Sequence, residues 1–160
     1  MVDDVTWQET AKANLPLLYK LAHQVLRNPQ DAQDAVQTAL MHTWEKRGRI
    51  QPEKLRAYLC RAVLNESKML LRHRNRMLPT EELPIRPVQS SPDLRPLMQA
   101  IADLPEKYRW PVWLFYLEDL SAKEAAAALG LTVPAFSSRL HRAKKLLRQA
   151  LGEEADYDAL

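Results

Sequence analysis

The chain has 160 residues, 46% of them apolar, with three glycines, one cysteine and a formal net charge of +3. That is apolar material for one mid-sized core or two small ones, and the abundance of Ala, Leu, Lys, Arg, Gln and Glu predicts an all-α fold. A lone Cys60 excludes an internal disulfide, Met1-Val2-Asp3-Asp4 lacks the pattern of a secretory signal, and no apolar run approaches the roughly 18 residues of a membrane span, so a cytoplasmic protein without membrane insertion is expected.

Thr6-Trp7-Gln8-Glu9 has the form of a capping box and predicts a helix start. Leu15, Leu18, Tyr19, Ala22, Val25 and Leu26 continue that helix, with a kink or break expected near Pro16. Asn28 as N-cap followed by Pro29 starts a second helix, whose Ala32, Ala35, Val36, Ala39, Leu40, Thr43 and Trp44 form one stripe up to a stop at Gly48. Pro52 opens a third, with Leu55, Tyr58, Leu59, Ala62, Val63, Met69 and Leu70 at helical spacing and Cys60 on an apolar face as a buried, inert thiol. The three amphipathic helices are expected to share a core. From Met77 to Pro96, Pro79, Pro84, Pro87, Pro92 and Pro96 interrupt any period and predict a semi-extended linker. Leu94, Leu97, Met98, Ile101 and Leu104 then suggest a short helix, and Tyr108 to Leu117 another that must kink or start at Pro111. Ser121-Ala-Lys-Glu124 is a second capping box. It leads into an alanine-rich helix to Leu129, a turn at Gly130-Leu131-Thr132 and a last helix from about Val133 to Leu151.

Charge is unevenly spread. Residues 1–76 hold 13 basic and 8 acidic side chains, against 8 and 9 in residues 97–160. Arg139 to Arg148 contains five basic residues and no acid, whereas Glu153, Glu154, Asp156 and Asp158 make the tail acidic. A helix, a turn containing Gly and a basic second helix form the helix-turn-helix pattern, in which the second helix enters the DNA major groove. Phe136, Leu140, Ala143 and Leu147 share one face of that helix, so Ser137, Ser138, His141, Arg142 and Lys145 project away from it, with Arg139 at the flank. Arg pairs bidentately with guanine, Ser and His read base edges, and Lys144, Lys145 and Arg148 suit phosphates. The competing reading is a solvated amphipathic helix.

On the third helix Arg61, Asn65, Lys68 and Arg72 follow i, i+4, i+7, i+11 spacing and line up as one basic stripe, near Trp44 and Tyr58 as candidate stacking aromatics or core residues. On the second, Asp34, Thr38, Met41 and Glu45 form a mixed acidic and apolar strip, suited to a basic protein partner or to solvent.

In order and spacing, Asp31-Ala-Gln-Asp34-Ala-Val-Gln37, Tyr58-Leu-Cys-Arg61-Ala-Val-Leu-Asn65, Leu104-Pro-Glu-Lys-Tyr-Arg109 and Leu129-Gly-Leu-Thr-Val-Pro-Ala-Phe-Ser-Ser-Arg139-Leu-His-Arg142 resemble an extracytoplasmic-function sigma factor. The resemblance implies a region-two domain at 1–76, a linker at 77–96, a region-four helix-turn-helix at 97–151 and an acidic tail at 152–160. It implies core RNA polymerase as partner, with region two on the β′ coiled coil and region four on the β flap. Promoter DNA and an anti-sigma factor are the other implied partners. Asp34 and Gln37 would lie on the polymerase face, beside Thr38, Met41 and Glu45. Gly48 to Lys54, including Arg49, would be the loop that pockets a flipped base of the minus-ten element, with Asn65 close by. Ser137, Ser138, Arg139, His141 and Arg142 would face the minus-thirty-five element. The family often has Gly-Thr-Val-Lys where this chain has Pro134, Ala135, Phe136 and Ser137, which removes polar contacts at that helix start.

Catalysis is not expected. His23, His42, His73 and His141 are scattered, and neither a phosphate-binding glycine loop nor a nucleophile–base spacing occurs, so no cofactor or metal is implied. The alternative is a stand-alone helix-turn-helix regulator. Such a protein normally dimerises on palindromic half-sites, and this chain has no sustained heptad seam. An interaction adaptor with incidental positive charge is a third reading.

Overall fold

The computed structural model describes residues 1–75 and 95–152. Positions 77–94 of the expected linker and residues 153–160 of the acidic tail lie outside the described residues. The chain divides into two compact units, Met1–Leu83 and Pro84–Leu160, and every described element is helical, as expected.

In the first unit, α1 (Asp4–Leu26), α2 (Pro29–Lys46) and α3 (Leu55–Asn75) pack on one another in all three pairings. Helix α1 starts earlier than expected, because Asp3, not Thr6, is its N-cap and accepts the Thr6 N–H at 2.7 Å. Nor does Pro16 interrupt α1. It sits on the exposed side, where water can take the carbonyl that its missing N–H leaves unbonded. Arg27 ends α1 in the left-handed conformation, and Asn28 Oδ1 then accepts from the Gln30 and Asp31 N–H groups at 2.9 and 3.1 Å, the predicted cap. Helix α2 closes at Lys46 in a short 3-10 turn, Arg47–Arg49, and a second such turn, Pro52–Lys54, precedes α3.

Leu18, Leu21, Leu26, Leu55, Leu59 and Val63 are fully buried, each stabilising the fold by about 1.5–3 kcal/mol through loss of water contact. The buried hydroxyls are satisfied locally, Thr43 donating to Leu40 O at 3.0 Å and Ser67 to Val63 O at 2.7 Å. The core face of α3 is turned relative to the expected stripe. Wedged against both α1 and α2, it buries Ala57 and Leu64 beside the expected Cys60 and leaves Tyr58 and Met69 36% and 59% exposed.

In the second unit, α4 (Arg95–Ala102) begins two residues inside the expected linker, since Pro96 is tolerated in a first turn. Helix α5 (Glu106–Val112) passes through Pro111 and widens into a π turn, Trp113–Leu117, closed by Glu118 N–H to Trp113 O at 3.1 Å. Helix α6 (Ala122–Ala128) opens with the predicted capping box: Glu124 N–H donates to Ser121 Oγ at 3.0 Å and Ser121 N–H to Glu124 Oε1 at 3.2 Å. Gly130 takes φ 70°, a conformation that suits glycine, and Leu131 N–H closes the turn onto Ala126 O at 2.8 Å. Thr132 caps α7 (Val133–Leu151) by accepting the Ala135 N–H at 3.2 Å, with Pro134 harmless in the first turn. Ala125, Ala126 and Ala128 are buried, so the small face of α6 lets α7 approach, and Phe136, Ala143 and Leu147 are fully buried along α7.

Candidate nucleic-acid interface

Helix α7 presents the predicted face. Behind buried Phe136, Ala143 and Leu147, the side chains of Ser137, Ser138, His141, Arg142, Lys144, Lys145 and Arg148 are exposed, and Arg139 is half-buried at the flank. Phe136 is set by Phe115 at a centroid distance of 6.2 Å, so the π turn after Pro111 helps fix the rotation of α7. Lys144 is not an isolated surface charge. Its Nζ lies 5.0 Å from the centroid of the Tyr116 ring, a cation–π contact that orients the ammonium.

The residues predicted for single-stranded DNA fall into two groups. Arg61 and Asn65 line a groove of ≈360 Å³ between α2 and α3, together with His42, Thr43, Lys46, Tyr58, Ala62 and Glu66. Half-exposed Tyr58 offers that groove an aromatic surface, while Lys68 and Arg72 continue the stripe farther along α3 without lining it. Gly48, Arg49 and Lys54 are exposed in the loop between α2 and α3 and also stand outside the groove. A Cβ built on Gly48 would meet nothing within 4 Å. Trp44 is not an open stacking surface. Trp7 meets it edge to face at 5.0 Å, and the Arg47 guanidinium lies 3.7 Å from its ring centroid.

Of the strip expected to meet a protein, Asp34 and Thr38 line a second groove of ≈320 Å³ with Ala35, Glu66, Met69, Leu70 and His73. Gln37, Met41 and Glu45 are exposed beyond it, Met41 at 65%. Exposed methionines on both helices, Met41 on α2 and Met69 on α3, give this unit adaptable apolar surface.

Sequence reasoning missed His42, Lys46 and Glu66. The signal for the first two was their place four and eight residues after Thr38 on the same side of α2. Glu66 was visible only as the one acid in the basic run from Lys54 to Arg76, and in the structure it pairs with His42, Nδ1 to Oε1, at 3.2 Å. Also unforeseen was Arg74, which reaches Asp31 at 2.7 Å and so spends its charge tying α3 to the start of α2. Hydrogen bonds from Thr6, first from its side chain and then from its backbone N–H, hold the Asp3 carboxyl below its usual range.

Comparison with known proteins covers both units. The family model of sigma-70 region 2 matches residues 10–77, and that of sigma-70 region 4 matches residues 94–147. The RNA polymerase sigma-E factor of Streptomyces avermitilis is 36% identical over 159 residues, spanning 96% of this chain and 88% of the relative. That of Streptomyces coelicolor is 34% identical over 157 residues, spanning 94% and 89%. Among solved structures, the sigma factor RpoE of Bartonella quintana, in complex with the anti-sigma factor NepR, superposes with a TM-score of 0.69 at 27% identity, covering 92% of this chain and 98% of that one.

Proposed function

The chain belongs to the sigma-70 family as an RNA polymerase sigma factor of the extracytoplasmic-function type, and from that premise we propose how its residues divide the work of starting transcription. As a sigma factor it directs core RNA polymerase to specific promoters and takes part in initiation. Sigma factors act without catalysing a reaction, and we read this chain likewise as performing no chemistry of its own.

Residues 97–151 read the upstream promoter element as duplex. Arg142 and His141, with Ser137, Ser138 and Arg139, face base edges, while Lys144, Lys145 and Arg148 pair with phosphates. Residues 1–76 capture the downstream element as a single strand: Arg61, Asn65, Lys68 and Arg72 track its backbone, and the Gly48–Lys54 loop holds an unstacked base. Asp34, Gln37, Thr38, Met41 and Glu45 dock on the β′ coiled coil, and the helix-turn-helix unit sits on the β flap. The observation that carries this reading is the exposed basic face of α7, braced by buried Phe136, Ala143 and Leu147 and capped by Thr132. An anti-sigma factor is a natural further partner, since the relative from Bartonella quintana is held by one. Among the described residues no helix is long and apolar enough to cross a membrane.

Co-purification with core RNA polymerase, followed by transcription in vitro from a randomised promoter library, tests the whole reading. Stoichiometric association and defined start sites are expected. A stand-alone regulator would bind duplex DNA without core, and an adaptor would show no dependence on DNA.

A further inference from the structure

The first residues of the chain reach the end of α2 and the loop that follows it at three points. Val2 is buried at 4% exposure, and its N–H donates to the Ile50 carbonyl at 3.2 Å. Asp4 Oδ1 accepts from Arg47 Nε at 2.8 Å. Trp7 meets Trp44 edge to face at 5.0 Å. Arg47 ties these contacts together. Its guanidinium stacks on Trp44 at 3.7 Å, one Nη donates to the Trp44 carbonyl at 2.7 Å, and its own carbonyl accepts the Ile50 N–H at 3.2 Å.

Ile50, 5% exposed, is the single buried residue from Gly48 to Lys54. A seven-residue loop with six exposed members therefore has one buried residue, and the carbonyl of that residue accepts the Val2 N–H. A loop so sparsely anchored would sample many conformers, and ordering them on contact with a ligand would cost conformational entropy at each residue. Contacts made beforehand meet that cost in advance and leave more of the interaction for affinity and discrimination. Arg47 itself is turned inward. Its charge is matched by Asp4 and its plane lies on Trp44, which leaves Arg49 and Lys54 as the loop's outward cations.

We propose that Val2, Asp4 and Trp7 act with Arg47 as a clamp that sets the shape of the Gly48–Lys54 loop for an unpaired DNA base, so that Asp4 and Arg47 are positioning residues for base discrimination. The proposal rests on that loop being the base-holding one. It separates from a purely structural clamp by its readout: discrimination between bases, measured beside melting temperature.

The test uses the full chain bound to core RNA polymerase. A single-stranded DNA oligonucleotide selected by the wild-type complex from a random pool is compared with its single-base variants by competition. Asp4→Asn and Arg47→Lys are expected to lower discrimination at one base about fivefold, a change on the order of 1 kcal/mol, while the melting temperature of the chain stays close to wild type. Arg47→Lys keeps the charge and loses the planar fork. Asp4→Glu, which keeps the ion pair, is expected to restore discrimination. If Lys54→Ala and Arg49→Ala weaken capture of the strand while both clamp variants discriminate as wild type does, the clamp is overturned and the loop reading stands. Should the two loop variants also bind and discriminate normally, the loop reading falls and the clamp falls with it. A lower melting temperature with intact discrimination would make the contacts structural only and would likewise overturn the proposal.

Discussion

Arg142 and Lys145 stand one turn apart on the exposed side of α7, and the chemistry of their heads separates their roles. A guanidinium matched to a guanine edge discriminates, whereas an ammonium against phosphate does not. Arg142→Ala is expected to cost about 1–3 kcal/mol at one position of the upstream element, and Lys145→Ala to weaken all sequences alike and reduce the salt slope by about one, both read by titration of the holoenzyme on promoter variants. Glu66 places a negative charge among Arg61, Lys46 and Asn65, so Glu66→Gln should raise affinity for any single strand, most clearly at low salt, and blur preference between strands. At Gly48 a methyl group meets open space in the protein. Gly48→Ala is thus expected to leave melting unchanged, and a loss of strand capture in that variant would mark close approach of a base to the backbone there. The lowered pKa of Asp3 means that its cap is present above the ordinary carboxylate range and is lost as pH falls through the lowered folded value, which far-ultraviolet circular dichroism of the α1 start would follow.

Helix ends were legible wherever the signal is local. Asn28-Pro29 and Ser121 with Glu124 needed only their own side chains to declare a start, and the structure contains those hydrogen bonds. Ser121→Ala should cost about 1 kcal/mol and lower the melting temperature of the second unit, as differential scanning calorimetry would show. Thr6 misled because Asp3, three residues earlier, caps the Thr6 N–H itself and so starts the helix a turn sooner, and two capping side chains three residues apart cannot be ranked from the pattern alone. Periodicity gave the existence of α3 but not its rotation. Tyr58 and Met69 fit an apolar spacing, yet the helix meets α1 and α2 at once, and that double contact draws Ala57 and Leu64 inward instead. Pro111 signalled an irregularity without its form, since a π turn has no compositional signature. In α7 the anchor is Phe136, and Phe136→Ala should cost about 3–5 kcal/mol, abolishing recognition of the upstream element while the helical content of the first unit persists.

Two basic surfaces on separately folded units were foreseeable from charge and pattern, because each belongs to one helix and a helix carries its spacing in the sequence. The grooves were not. Each forms where α2 and α3 come together, so membership depends on packing that no single segment encodes, and His42, Lys46 and Glu66 joined only in three dimensions. Glu66 has a further significance at this scale, since it lines both the groove holding Arg61 and Asn65 and the one holding Asp34 and Thr38. The two recesses have this side chain in common. If polymerase occupies one recess and a strand the other, a move of this carboxylate on one side alters the other, and thermodynamic reciprocity then requires each ligand to change the grip on the other by the same factor. Engagement with the enzyme and opening of the promoter would in that way be communicated across a single residue.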